Sequence, residues 1–269
     1  MSDVQPTGPW GRFLSRPNDD PVKTMGVAGL TALAAALTVS AAAVWLEPYQ
    51  RAHIEAERAA QMAAMLDTLP DLRAVMEAAG VTALDTRTVD LAADGFAPEL
   101  DPGALDIAAA VDLPDLSEPL PPDADVAGLG RVPLHAPVHL LARDGRVALV
   151  VLPMVGTGYQ SRIEALLALE ADLNTVAALV ITAQADTPGL GARITEPEWQ
   201  GLWPGKEIAG PEGEIRISVV RGEADGPYEV DGISGATRTS QGVGAMVRFW
   251  MGEWGYGPFL ERLEREGIE

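Results

Sequence analysis

The chain contains no cysteine in 269 residues. Disulfides, thiolate metal sites and cysteine-ligated iron–sulfur clusters are therefore excluded. Histidine is nearly as scarce, with only His53, His135 and His139 present. A redox group attached through sulfur or imidazole has few anchor points, which turns attention to hydroxyls. Basic residues are outnumbered, 19 Lys and Arg against 39 Asp and Glu, for a formal charge of −20. Such a chain repels phosphate backbones, so a nucleic-acid partner is not expected, and the body does not adsorb on anionic lipid. Aromatic residues are few, but hydrophobic residues reach 47 %, enough for a core. The length suits one large domain, or one domain with an appendage.

One long apolar run is present. Residues 24–46, from Thr24 to Leu46, carry no charge. At about 1.5 Å per residue this run spans a hydrocarbon core about 30 Å thick. Lys23 precedes it, and Trp45 and Tyr49 sit near its far end as interface anchors. A cleaved signal peptide is the rival, with Ser40-Ala41-Ala42-Ala43 as a small-residue cleavage site. The apolar run is long for a signal core, and the segment before it holds Asp3, Asp19 and Asp20. The reading is an uncleaved transmembrane helix in the lipid bilayer. Arg12, Arg16 and Lys23 lie before it, against Arg51 and Arg58 shortly after. This excess puts the N-terminus in the cytoplasm and the body outside, in a bacterial cell the periplasm. Pro48 to Leu66 reads as a juxtamembrane helix closed by Pro70.

The expected organisation is a tail (1–23), the span (24–46), a juxtamembrane helix with an acidic Pro/Gly-rich region (47–138), and a C-terminal domain (139–269). Within the third part, residues 84–130 read as a solvated loop with little regular structure. His135 and His139 have the spacing of a helical metal pair, but Pro133 and Pro137 flank them and a metal site is not expected. From His139 the pattern is α+β. Two strands, His139–Ala142 and Arg146–Leu152, flank an Asp144-Gly145 turn. Gly156-Thr157-Gly158 reads as a loop and Arg162–Glu170 as a short helix, with apolar positions at 163, 166, 167 and 169. Strands are expected at Val176–Thr182, Glu214–Val220 and Tyr228–Val230. Helices are expected at Gln241–Trp250, capped by Thr239 or Ser240, and at Phe259–Arg265.

Three glycine-bearing segments carry what chemistry the sequence offers: 156–161 (GTGYQS), 186–191 (DTPGLG) and 231–241 (DGISGATRTSQ). Pro188-Gly189 suits the centre of a type II turn, which exposes backbone amides to an anion or ring carbonyl. Thr237 lies shortly before the expected helix, whose free amides and positive dipole end favour a phosphate. Gly235 and Ala236 permit close approach, Arg238 adds positive charge, and Asp231 could orient a loop amide or hold a divalent ion. Taken singly, each segment also reads as an ordinary turn or a capped helix start. A hydrolase with Ser234 or Thr237 as nucleophile lacks a base, since no histidine lies near in sequence.

Residues 231–240 (DGISGATRTS) resemble the flavinylation motif of FMN-bearing subunits, and 186–191 its companion motif. Together with the tail 249–259 (FWMGEWGYGPF), they resemble the family of the C-type FMN subunit of the Na⁺-translocating NADH:quinone oxidoreductase. That family is related to the FMN subunit of the Rnf electron-transport complex. The resemblance implies an α+β FMN-binding domain with a mixed or antiparallel sheet and flanking helices, preceded by one N-terminal transmembrane helix. It implies a covalent FMN, esterified through phosphate to Thr237. Ser234, Gly235 and Ala236 would line the phosphate. Asp231 and Gly232 would complete the motif read by a flavin transferase that uses FAD and Mg²⁺. Thr187, Pro188, Gly189, Leu190 and Gly191 would border the flavin ring, with Tyr159 nearby. The implied role is single-electron transfer within an inner-membrane complex, with other membrane subunits as partners and Na⁺ export coupled to quinone reduction. The alternatives are the Rnf-type subunit and a flavin-free anchored adaptor. Residues 156–161 depart from the family pattern Gly-Lys-Gly-Leu-Trp-Ser, with Gln160 in place of the aromatic and Tyr159 one place earlier, and Asp186 stands where the companion motif has Glu. Both departures bear on the ring-side contacts and the flavin potential the resemblance implies, not on the attachment residue.

Overall fold

The computed structural model describes residues 20–38, 85–143 and 146–267, together with 10, 13, 15–18 and 40. The chain divides into two units, Met1–Ala60 and Gln61–Glu269.

The described part of the first unit is a helix, α1 (Pro21–Thr38), long and apolar enough by composition to cross a membrane, with none of that window buried. It starts three residues before the expected span. Asp20 Oδ1 accepts from the Val22 amide at 2.7 Å and Pro21 opens the first turn, a favoured pairing of N-cap and N1 residues. Lys23 therefore lies inside the helix, its Nζ donating to the Arg16 carbonyl at 2.7 Å and to Asn18 Oδ1 at 2.9 Å. The expected end of the span, the juxtamembrane helix and the Asp144-Gly145 turn lie outside the described residues.

The second unit is built on a six-stranded sheet. In chain order its strands are β1 (Asp85–Asp90), β2 (Gly95–Phe96), β5 (His135–Arg143), β6 (Arg146–Thr157), β7 (Arg162–Glu170) and β8 (Val176–Ala183). Their order across the sheet is β2-β1-β5-β6-β7-β8, and every pairing is antiparallel. The only parallel pair is β9 (Ser218–Val220) with β10 (Glu229–Asp231), in a sheet of its own among the described residues.

Four expectations are corrected. The acidic stretch 84–130 is structured: it supplies β1 and β2, a 3-10 turn at Pro102–Ala104, helix α2 (Ile107–Val111) and strand β3 (Ser117–Pro119), which pairs with β4 (Arg131–Pro133). Several of its aspartates accept from local backbone amides. Asp106 accepts from Ala108 and Ala109, and Asp125 from Leu129 and Gly130. Arg162 clamps α2 to the sheet through a two-pronged contact with Asp112, both distances 2.8 Å, and also donates to the Ala108 carbonyl.

Residues 162–170 form strand β7, not a helix. Ile163, Ala165, Leu167 and Leu169 enter the main core, while Leu166 and Ala168 are buried on the opposite face. Burial on both faces removes the alternation that identifies a strand. Residues 156–157 belong to strand β6 rather than a loop. A Cβ at Gly156 would stand 2.7 Å from Met246 Cβ, so glycine lets a helix lie directly on the strand. Of the strand expected at 214–220 only Ser218–Val220 forms, preceded by a single bridge, Ala209 to Ile215.

Beyond β8 a single helical turn, α3 (Pro197–Gln200), buries Trp199. The main core packs one sheet face against α4 (Thr237–Trp250) and α5 (Gly257–Glu266). Two more glycines set the approach of α4: a Cβ at Gly242 would lie 2.5 Å from the Thr157 carbonyl oxygen, and one at Gly244 2.9 Å from Val219 Cγ2. Gly242→Ala is expected to destabilise the domain by about 1–3 kcal/mol, because the clash with backbone outweighs the helix propensity gained. A shift of the urea midpoint at unchanged slope checks this.

His139, on β5, stands opposite Val151 on the second sheet face, and its Nδ1 lies 2.8 Å from Thr86 Oγ1. Burial pushes its pKa down to about 4. The unfolded chain, with a histidine pKa near 6.5, takes up the proton first. Stability from this group is therefore complete above pH 6.5 and falls as pH drops toward 4, by about 1–3 kcal/mol in total. Denaturant midpoints at pH 7 and pH 4.5 should show this loss, and His139→Gln should reduce it.

Candidate functional site

All three glycine-bearing segments meet at one end of the sheet. The turn between β6 and β7, the segment after β8 and the start of α4 border an open cavity of about 350 Å³. That size lies within the range of small-molecule sites, about 300–1,000 Å³.

One wall is the start of α4. This helix begins at Thr237, four residues before the expected start, with Ala236 as N-cap and no side-chain cap. Thr239 and Ser240, the expected caps, instead lie in the first turn with their side chains buried. The first amide to bond back is that of Ser240, to the Ala236 carbonyl at 3.0 Å. The amides of Thr237, Arg238 and Thr239 thus have no carbonyl partner within the helix. Gly235, at φ +81°, makes the bend that aims this end at the cavity. Gly235, Ala236, Thr237 and Arg238 all line it.

The hydroxyls here differ in availability. Thr239 is 2 % exposed and its Oγ1 donates to Asp186 Oδ2 at 2.5 Å. Ser240 is fully buried, with its Oγ 3.2 Å from the Ala236 and Thr237 carbonyls and accepting from the Ile233 amide. Ser234 is exposed and does not line the cavity. Thr237 is half-buried at N1, lines the cavity, and its hydroxyl makes no hydrogen bond among the described residues.

The opposite wall comes from 186–191. The Leu190 amide donates to the Thr187 carbonyl at 3.1 Å and Gly189 has φ +73°, the type II turn expected at Pro188-Gly189. Thr187, Leu190 and Gly191 line the cavity, whereas Pro188 and Gly189 do not. At the rim, Tyr159 (55 % exposed) and Leu190 (48 % exposed) present apolar surface, and Arg238 stands 5.1 Å from the Tyr159 ring centre. In the segment that departs from the family pattern, the aromatic one place earlier thus supplies the ring. Gln160 contributes its amide, which donates to Asp186 Oδ1 at 3.1 Å.

Asp231 and Gly232 lie away from the cavity and shape the approach to it. Asp231 Oδ1 accepts from the Ala224 amide at 2.6 Å, so it orients a loop amide, and its carbonyl accepts from Trp199 Nε1 at 2.8 Å. Gly232 passes so close to the Val220 carbonyl that a Cβ would reach within 2.4 Å. Among the described residues no group of acidic and histidine side chains is arranged to hold a metal ion. Two further residues line the cavity wall: Asp186, the acidic residue that opens the 186–191 motif, and Thr239, which the sequence offered as a helix cap.

Residues 158–252 match the family model described as an FMN-binding domain. The chain is similar to the C component of the Na(+)-translocating NADH-quinone reductase of Pseudomonas aeruginosa, 32 % identical over 250 residues, covering 90 % of this chain and 96 % of that one. It is 35 % identical to the same component from Vibrio alginolyticus over 264 residues, covering 93 % and 97 %. Among solved structures it is similar to Shewanella oneidensis NqrC, with TM-score 0.64, 28 % identity, and coverage of 72 % of this chain and 88 % of that one.

Proposed function

Since the chain belongs to the NqrC family, a component of the Na⁺-translocating NADH-quinone reductase, an oxidoreductase complex, we propose that it carries FMN esterified to Thr237 and relays single electrons within that complex. The observation that carries this reading is an accessible, unbonded hydroxyl, Thr237 Oγ1, on the helix end whose free amides face a cavity. A phosphoester needs an acceptor hydroxyl, donors for the phosphate oxygens and room beside them, and all three coincide here.

Each residue then has a task. The amides of Thr237, Arg238 and Thr239 would hold the phosphate, with Gly235 and Ala236 leaving space for it. Thr187, Leu190, Gly191 and Tyr159 would border the ring, and Arg238 would add positive charge beside them. FMN supplies the one-electron chemistry, and the protein supplies position and electrostatics. Ser234, Asp231 and Gly232 shape the segment that a flavin transferase reads. A covalent bond keeps the cofactor in a compartment that has no flavin supply.

The run 24–46 anchors the chain in the bacterial inner membrane, with the N-terminus cytoplasmic and the domain that holds the six-stranded sheet, which begins by Asp85 rather than at the expected 139, periplasmic, as the positive charges before the run favour. Membrane subunits of the reductase are its partners, and electron transfer to quinone is coupled to Na⁺ export.

The test of attachment is the intact mass of the chain co-expressed with a flavin transferase. Wild type and Ser234→Ala are expected to gain one FMN-sized increment, and Thr237→Ala none. An increment that persists in Thr237→Ala rules Thr237 out.

A further inference from the structure

Three segments distant in sequence meet at one carboxylate. Asp186 is 4 % exposed and lies in the cavity wall. Its Oδ2 accepts from the Thr239 hydroxyl at 2.5 Å and the Tyr159 amide at 3.1 Å. Its Oδ1 accepts from the Ser161 hydroxyl at 2.8 Å and the Gln160 amide at 3.1 Å. All four partners donate, an arrangement that only the ionised carboxylate satisfies in full. Burial alone would raise the pKa of Asp186, but the Thr239 and Ser161 hydroxyls and the two amides together hold it below the usual carboxylate range. Two glycines clear the space: a Cβ at Gly191 would lie 2.7 Å from Asp186 Cβ, and one at Gly158 2.9 Å from Oδ2. The carboxylate thus joins both turns of the cavity to the first turn of the helix bearing Thr237.

We propose that Asp186 is the positioning residue of this site, fixing the Tyr159–Ser161 turn and the start of α4 to the Thr187–Gly191 turn, and that its fixed negative charge lowers the reduction potential of the flavin held there. This inference rests on the flavin reading above. A buried charge in the wall opposes the arrival of an electron on the ring, and its four donors offset part of that opposition. Removing the charge therefore raises the potential. Removing one donor while keeping the charge lowers it. A role confined to packing does not produce shifts of opposite sign.

The experiment is a spectroelectrochemical titration of the full chain in detergent, co-expressed with a flavin transferase. Asp186→Asn is expected to change the oxidised-to-reduced ratio at fixed solution potential about tenfold toward reduced, about 59 mV for a one-electron couple. Thr239→Val is expected to move it the other way, and Asp186→Glu to stay near wild type. An Asp186→Asn potential within about twofold of wild type on that scale, or a shift of the same sign in both variants, overturns the electrostatic role. If Asp186→Asn does not accumulate, Thr239→Val decides: a lowered potential supports the proposal, and an unchanged or raised one overturns it.

The positioning role has a readout that needs no flavin. In the Thr237→Ala background, Asp186→Asn or Thr239→Val is expected to lower the Tm by about 5 °C or more, and an unchanged Tm for both overturns that role. A wild-type chain without the FMN mass increment defeats the parent reading instead. A flavin-loaded wild type with both variants unaltered defeats this inference alone.

Discussion

Thr237→Ala, assembled with its partner subunits, is expected to lower NADH-driven quinone reduction by about a hundredfold or more while leaving the domain folded. The two halves of this expectation have separate causes. On the proposed attachment, activity falls because the variant has no oxygen on which to form the ester, and the relay would depend on the cofactor rather than on any side chain. The fold persists because Thr237 occupies the first helical position, half-buried, with a hydroxyl that bonds to nothing among the described residues. Alanine is the better helix former, so the change in stability stays within about 0.5 kcal/mol. Thr237→Ser, which keeps an oxygen at the same place, should retain some flavin. The checks are quinone reduction in isolated membranes, in-gel flavin fluorescence and thermal unfolding of the same preparations. Full activity in the alanine variant would place the relay elsewhere.

Trp250→Ala is expected to have the largest effect on the fold, a loss of about 3–5 kcal/mol. Trp250 ends α4, is fully buried, and donates from Nε1 to the Val155 carbonyl of β6 at 2.7 Å. It packs edge-on against Phe249 and lies 5.2 Å, centre to centre, from the Tyr256 ring. The Tyr256 hydroxyl in turn lies 2.9 Å from the Pro153 carbonyl and 3.1 Å from that of Pro137, which ties α5 to β5 and β6. Truncating the indole opens a cavity and leaves a buried carbonyl without its donor. Against a total stability of about 5–15 kcal/mol this is a large fraction, and the Tm should fall by about 6–20 °C. A thermal scan of the flavin-loaded chain in detergent checks it.

Much of the C-terminal domain was legible because its signals are local. The β5–β6 pair, Val176–Ala183, the Pro188-Gly189 turn and the last two helices each announce themselves within a dozen residues. Strand β7 was hidden because Leu166 and Ala168 bury on one face while Ile163, Leu167 and Leu169 bury on the other. The resulting apolar run meets a helical pattern as easily as a strand. The stretch 84–130 was hidden by composition. Its Asp and Pro residues suggest solvent, yet Asp106 and Asp125 are spent on local backbone amides that fix turns and a helix start.

The site divides in the same way. Thr237 and its small neighbours were readable as a contiguous motif. Asp186 was readable as the acidic residue of its motif, but its role as a junction was not, because its four donors come from residues 159, 160, 161 and 239. No window of sequence contains them together. Thr239 resembled a cap by type, and only the packing shows that its hydroxyl points inward to Asp186 instead.

The glycine contacts of α4 also bear on how far the redox centre can reach. With Met246 seated over Gly156, and with Gly242 and Gly244 against Thr157 and Val219, the helix has no slack to slide or tilt on the sheet. The proposed ester at its first residue would pin the phosphate end of the cofactor to a post that the sheet holds in place. On that reading, the phosphate end stays where the domain stands, and carrying it far toward or away from a neighbouring centre would require the domain itself to move.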